Sequence, residues 1–351
     1  MTTDLIKVLF SAVVSFMIGI AITPYLSGFM YKHKMWRKKS RSQENVDAMS
    51  DTFKKIHNEK GETGTPRVGG VIIWISVLAV IVILYIISFF VLGDVSAKLN
   101  FLSRNQTLLP LGMFLFASIF GLADDLLQIY GKGLNLSEGI SRKVRVLTVL
   151  MIGAVGAAWF YFKLQNLSVH IPFYGDMWIG LLFIPFFIAV VFVIFSGSVI
   201  DGIDGLAGGV LSAAFGAYTI IAIAQHQVDI AAFCAAIIGG LLAFLWFNIP
   251  PARFYLGETG IMGLTITLAV VAFLTNQVVV LPIIALPLIV TSLSSSLQMF
   301  SKKYFGKKLF KIAPLHHHFE ALGWPPYKVT MRYWIISIIC AIIGTVIALI
   351  G

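Results

Sequence analysis

Residues 68–93 read VGGVIIWISVLAVIVILYIISFFVLG, 26 positions without one charged side chain. A membrane-spanning helix needs roughly 20 consecutive, mostly apolar residues, and this stretch exceeds that length. Further apolar segments fall near 5–30, 106–123, 144–163, 177–195, 206–224, 229–247, 260–274, 277–299 and 333–350. The pattern predicts an all-α integral membrane protein with about ten transmembrane helices. Composition agrees. Of 351 residues, 58% are hydrophobic and 12% charged, whereas soluble domains carry about a quarter charged residues. The mean hydropathy is +0.90. The segments run from one end of the chain to the other without an internal repeat of the kind found in many transporters, so residues 1–351 are expected to form a single polytopic domain. The first apolar run has no cleavage site of signal-peptide type and is expected to stay as an anchor. Cys234 and Cys340 both sit in apolar runs, which argues against a disulfide framework or a zinc site.

Basic residues give the orientation, because loops rich in Lys and Arg stay in the cytoplasm. Ten spans leave nine loops, and the first, third, seventh and ninth hold 22 of the 26 Lys and Arg residues. Lys7, Lys98, Arg104 and Lys163 fall on the opposite side. Both termini are therefore expected to be extracytoplasmic, with the active site on the cytoplasmic face. The net charge of +10 is then a topological bias with affinity for anionic membrane lipid, and no nucleic-acid partner is expected.

Four polar stretches lie in the odd-numbered loops. GLADDLLQIYGKGLNLS (121–137) carries Asp124 and Asp125, and paired carboxylates suit a divalent metal carrying phosphates or a base that takes a proton. A solvated acidic pair at a helix end explains this stretch equally well. FSGSVIDGIDGLAGG (195–209) places Asp201 and Asp204 three residues apart, on one face if helical. Helix packing explains its glycines but not two carboxylates between apolar flanks. FLWFNIPPARFYLGETG (244–260) sets Glu258 in a glycine-rich turn, a suitable magnesium ligand; Phe254 and Tyr255 read equally well as interfacial anchors. KIAPLHHHFEALGW (311–324) has three successive histidines, a weak metal site because neighbouring side chains diverge and a better fit to phosphate or sugar contacts beside Lys311; a plain surface loop is the alternative. Together these residues describe phosphoryl transfer at a membrane boundary, where the protein mainly positions reactants and stabilises charge.

The order and spacing of these motifs resemble the polyprenyl-phosphate N-acetylhexosamine-phosphate transferases. The similarity rests on GTPRVGG at Gly64–Gly70, the Asp124–Asp125 pair, DGIDGLAGG at 201–209, FNIPPARFYLGETG at 247–260 and PLHHHFEALGW at 314–324. The histidine run resembles the branch that transfers phospho-N-acetylmuramoyl-pentapeptide, as opposed to GlcNAc-phosphate. The resemblance implies a Mg2+-dependent enzyme of peptidoglycan synthesis, multi-pass in the bacterial inner (cytoplasmic) membrane. Undecaprenyl phosphate would attack the sugar-linked phosphate of UDP-MurNAc-pentapeptide, giving lipid I and UMP. A homodimer is implied as well.

Residue roles follow from the same resemblance. Asp124 and Asp125 match the acidic pair assigned to prenyl-phosphate deprotonation or positioning, and Asp201 matches a catalytic aspartate. Gly202, Ile203 and Asp204 match the uridine pocket, Tyr255 an aromatic that stacks on uracil, and Asn248 a nearby polar contact. Glu258 takes the metal-ligand position, with Asp125 beside it. His316 matches a catalytic histidine, and His317 and His318 match substrate contacts near the phosphates. Lys132 matches a phosphate-binding lysine, and Lys60 is a looser match to another.

Four positions depart from the family pattern. Phe195 and Ser198 stand where the family has two asparagines, Gln128 replaces a lysine, and Glu258 replaces a metal-binding aspartate. A GlcNAc-phosphate transferase, a catalytically degenerate member and a transporter stay open as alternatives. The transferase reading requires Asp125, Asp201, Glu258 and His316 to meet around one pocket.

Overall fold

In hydrocarbon every backbone N–H and C=O must be satisfied within the chain, so a long uncharged run closes on itself as a helix. The computed structural model describes residues 2–37, 64–90, 100–103, 106–131, 139–165 and 167–351. Lys60, Lys98, Arg104 and Lys132 lie outside them. The helices are α1 (Thr2–Lys32), α2 (Val71–Phe90), α3 (Leu108–Tyr130), α4 (Arg142–Trp159), α5 (Phe183–Ser196), α6 (Leu206–Ala224), α7 (Val228–Asn248), α8 (Gly257–Leu274), α9 (Leu281–Ile284), α10 (Leu286–Phe305), α11 (Leu315–Ala321) and α12 (Pro326–Ile350).

Among the described residues nine helical segments, built on α1 to α8 and α12, are long and apolar enough to cross a membrane, that of α5 including the 3-10 turns on either side of it (Gly180–Ile200). The protein is therefore a largely helical, multi-pass membrane protein. The segment expected to span at 277–299 is divided. Ala285 separates α9 from α10, each of which has a proline in its first turn. The apolar run of α10 is then broken by Thr291, Ser292, Ser294, Ser295, Ser296 and Gln298.

The all-α expectation needs one correction. Between α4 and α5 the chain forms a hairpin, β1 (Ser168–Ile171) paired antiparallel with β2 (Gly175–Trp178). Its turn holds Phe173 at φ 67°, and β2 opens on Gly175 at φ 98°. Strands of four residues are too short to register against the hydropathy of the flanking spans.

Helix α8 is the spine of the bundle: 89% of its spanning window is buried inside the protein, against 28% for α1 and 33% for α12. It packs along α3, while α1 packs along α7 and α6 lies against both α7 and α12. Small residues let α3 and α8 come this close. A Cβ at Gly121 would run into the backbone of Glu258, and one at Gly263 into the Ser118 hydroxyl.

At the far end from Glu258, Lys7 Nζ of α1 meets Asp229 Oδ1 of α7 at 2.5 Å. Lys7→Met would leave that carboxylate without its cation. We expect a loss of about 1–3 kcal/mol, read as a lower thermal-unfolding midpoint in detergent. An unchanged midpoint would discount the pair.

Candidate active site

Asp124 and Asp125 lie within the last two turns of α3 rather than in the loop beyond it. The helix continues to Tyr130 and is closed by Gly131 at φ 65°, whose N–H bonds to the Leu127 carbonyl, a left-handed C-terminal stop. Successive helical residues point about 100° apart, and the two buried carboxylates diverge accordingly. Asp124 turns toward α4: its Oδ1 accepts the Ile140 N–H (2.6 Å) and its Oδ2 accepts from Arg145 Nη2 (2.6 Å) and Gln128 Nε2 (3.2 Å). Asp125 turns toward α8, where its Oδ2 accepts the Thr259 N–H at 2.9 Å. An anion is favoured there by the unpaired amides at the start of a helix.

Glu258 belongs to the first turn of the same helix. Its Oε1 accepts from Arg145 Nη1 at 2.8 Å, so one guanidinium spans Asp124 and Glu258. The approach depends on Gly257, at φ 71°. A side chain would be strained in that conformation, and its Cβ would meet the Arg67 carbonyl and Asp125 Oδ2. The glycines of GTPRVGG have a related purpose. The Gly69 and Gly70 N–H groups donate to the Tyr255 and Leu256 carbonyls, each at 2.9 Å, and the Tyr255 N–H donates to the Pro66 carbonyl at 2.8 Å. This clamp holds residues 66–70 against the entry to α8.

A cavity of about 640 Å³ opens beside these groups. Arg67, Arg142, Arg145 and Glu258 line it together with Asp201, Gly202 and His317. Asp201 and Gly202 are not helical, so the condition for Asp201 and Asp204 to share a helix face is not met. They follow a 3-10 turn over Gly197–Ile200 that bends the chain across the pocket. The histidines are on a short helix, α11. His316 is fully buried, and a Cβ on Gly202 would touch Nε2 of both His316 and His317. His317 Nδ1 lies 2.5 Å from Glu320 Oε2, a carboxylate contact that orients the ring and leaves Nε2 toward Gly202. Asp125, Asp201, Glu258 and His316 are thus gathered at or directly behind one pocket wall.

Other expected site residues stand outside that wall. The Asn248 amide bridges backbone, with Oδ1 accepting the Gly205 N–H (2.8 Å) and Nδ2 donating to the Phe254 carbonyl (2.7 Å). Asp204 Oδ2 accepts the Ala252 N–H at 3.1 Å, and Ile203 is buried. His318 Nδ1 accepts the Lys311 N–H at 3.1 Å, and its ring packs on Phe310. Tyr255 is half-buried and enters the site through its backbone clamp. Lys132 is outside the described residues. Phe195 and Ser198 do line the cavity, at the positions where the resemblance expects asparagines.

Motif reading passed over Arg67, Arg145 and Glu320. The two arginines counted only as loop charge. Arg145 is 21 residues from Asp124 and 113 from Glu258, separations that no local pattern reveals. Glu320 was visible three residues after His317, the spacing that makes helical neighbours.

The donor set fits a hard divalent ion. Asp125 Oδ1 and Glu258 Oε2 are buried and have no hydrogen-bond partner among the described residues. No group of three or more His, Cys, Asp or Glu side chains suited to a metal occurs among the described residues. Magnesium bound with phosphates commonly uses one or two carboxylates, drawing its other ligands from substrate and water, so two open carboxylate oxygens suffice.

The pocket sits at one end of a helical membrane bundle, and residues 107–276 of that bundle match the family model described as "Glycosyl transferase family 4". The phospho-N-acetylmuramoyl-pentapeptide-transferase of Bacillus cytotoxicus is 34% identical over 340 residues, covering 96% of each chain. That of Chloroflexus aurantiacus is 32% identical over 363 residues, covering 99% of this chain and 91% of the relative. The chain belongs to the phospho-N-acetylmuramoyl-pentapeptide-transferase family, and it is a multi-pass protein of the bacterial inner (cytoplasmic) membrane.

Proposed function

We propose that this protein transfers phospho-N-acetylmuramoyl-pentapeptide from UDP-MurNAc-pentapeptide to undecaprenyl phosphate, forming lipid I and releasing UMP. One observation carries the reading. Separate polar motifs, including the histidine run, converge on a single cavity of about 640 Å³ at one end of an apolar bundle.

In the reaction a phosphate oxygen of undecaprenyl phosphate attacks the phosphorus bonded to the sugar. A P–O bond forms there, and the bond to the UMP oxygen breaks. Such chemistry needs positioning and charge stabilisation more than covalent help. Arg67, Arg142 and Arg145 provide guanidinium donors for pyrophosphate oxygens. Asp125 and Glu258 would hold Mg2+, which supplies charge neutralisation on those oxygens. Asp201 and His317 Nε2 orient the phosphates, with the buried His316 supporting the wall behind Gly202. Asp124 fixes Arg145 and the start of α4. Gly202, Ile203 and Asp204 frame the uridine side together with Asn248 and Tyr255. By the resemblance, Lys132 and His318 would add polar contacts to the substrate.

The cytoplasmic orientation of this cavity, with both termini outside and α10 completing ten spans, is supported by the placement of Lys and Arg along the sequence. One domain spans residues 1–351, and the working unit is a homodimer.

The test is product formation by purified protein in detergent, with undecaprenyl phosphate and either UDP-MurNAc-pentapeptide or UDP-GlcNAc, with and without Mg2+. Lipid I from the muramoyl donor alone, requiring Mg2+, is the expected result. Product from UDP-GlcNAc would move the assignment to the other branch, and no product under any condition would leave a degenerate member. Ser198→Asn restores an amide to the cavity wall and is expected to raise turnover several-fold, the scale of about 1 kcal/mol for one added hydrogen bond. A rate at or below the parent's would separate position 198 from catalysis.

A further inference from the structure

The guanidinium of Arg145 supplies a cation to two carboxylates of the site. Its Nη2 is 2.6 Å from Asp124 Oδ2 and its Nη1 is 2.8 Å from Glu258 Oε1. The two contacts are not equivalent. Asp124 has two further donors, the Ile140 N–H and Gln128 Nε2, so it is solvated by protein with or without Arg145. Among the described residues the guanidinium is the one hydrogen-bond donor to the Glu258 side chain, and Oε2 is buried without a partner. Asp125 Oδ1 is in the same condition nearby. A dication taking these two oxygens would stand close to Arg145, and like charges at such range repel strongly when partly shielded from water.

We propose that Arg145 is a displaceable counter-ion, an inference that rests on the phosphotransferase reading above. In the metal-free site it neutralises Glu258 and keeps the carboxylates together. When a divalent ion takes Glu258, Arg145 keeps Asp124 as its pivot and releases Nη1 into the cavity that it already lines. The released donor takes a phosphate oxygen of the nucleotide, a pairing suited to the planar guanidinium fork. Metal and nucleotide then favour each other's binding by the same factor, as linkage requires. Arg145 competes with the metal when alone and cooperates with it when nucleotide is present.

The experiment uses the full chain in detergent and Mn2+ as probe, with free Mn2+ followed by electron paramagnetic resonance. Arg145→Gln is expected to bind Mn2+ about tenfold more tightly than the parent in the absence of nucleotide, within the usual range of such couplings. Calorimetry should show UDP bound about tenfold more weakly at saturating Mn2+. Arg145→Lys keeps the charge without the two-armed reach and should show the same changes to a smaller degree. It also serves as the test variant if the glutamine form does not unfold cooperatively. A structural role alone would lower the thermal midpoint without tightening Mn2+ binding. Unchanged or weaker Mn2+ binding in a folded variant overturns the role of Arg145 and leaves the site reading standing. A gain that survives in the Arg145→Gln/Glu258→Gln double variant overturns the metal site itself.

Discussion

Asp125→Asn is expected to lower turnover by at least ~100-fold, the usual scale for removing one charge-stabilising group from a preorganised site, while the protein stays folded. Asp125 Oδ2 accepts the Thr259 N–H at 2.9 Å, and the amide oxygen of asparagine can keep that bond. What the substitution removes is the second carboxylate oxygen, Oδ1, which is buried and has no hydrogen-bond partner among the described residues. The variant therefore separates architecture from chemistry. Product formation at saturating donor and Mg2+, together with a thermal-unfolding curve, checks it. A rate near the parent's would take Asp125 out of the reaction, and a collapsed unfolding midpoint would reassign it to the fold.

The second large effect concerns a residue without a side chain. Gly121 of α3 rests on the backbone of Glu258, and a Cβ there would collide with the Glu258 carbonyl. Because the obstacle is backbone, no rotamer change relieves it. Gly121→Val should force α3 and α8 apart, costing about 1–3 kcal/mol of stability as overpacking does. The same shift displaces Glu258 relative to Arg145 and Asp125, and a misplacement of ~1 Å in a positioned site costs on the order of 100-fold in rate. Gly112 provides the control. It is on the same helix, yet a Cβ there has nothing within 4 Å, so Gly112→Ala should leave both rate and midpoint close to the parent. Normal activity in Gly121→Val would mean that the contact between α3 and α8 does not fix the carboxylate.

The same contrast between local and distant contacts explains what could be read from the sequence. The helices were legible because twenty-residue apolar runs have one stable form in hydrocarbon. The stretch at 277–299 was legible as apolar but not as two helices, because the prolines at the starts of α9 and α10 and the serines within α10 act over only a few residues. The hairpin at 168–178 was hidden between two spans. In the site, Asp125, Asp201, Glu258 and the histidine run were found as motifs, since carboxylates and imidazoles are conspicuous among apolar neighbours. Arg145 was not, because an arginine at a helix start reads as positive-inside bias until packing brings Glu258 to it. The backbone duties of Asn248, Asp204 and His318 were equally hidden, since the groups that they bind carry no sequence signal.

Helix α8, almost wholly wrapped by its neighbours, has little surface that touches lipid. Bilayers of unequal thickness act on a protein by tilting or stretching the helices they contact, and here those are outer helices such as α1 and α12. Glu258, at the head of the wrapped helix, is insulated from that adjustment. An enzyme whose acceptor is itself a membrane lipid can therefore keep its reaction centre in register while the surrounding membrane changes in thickness or fluidity.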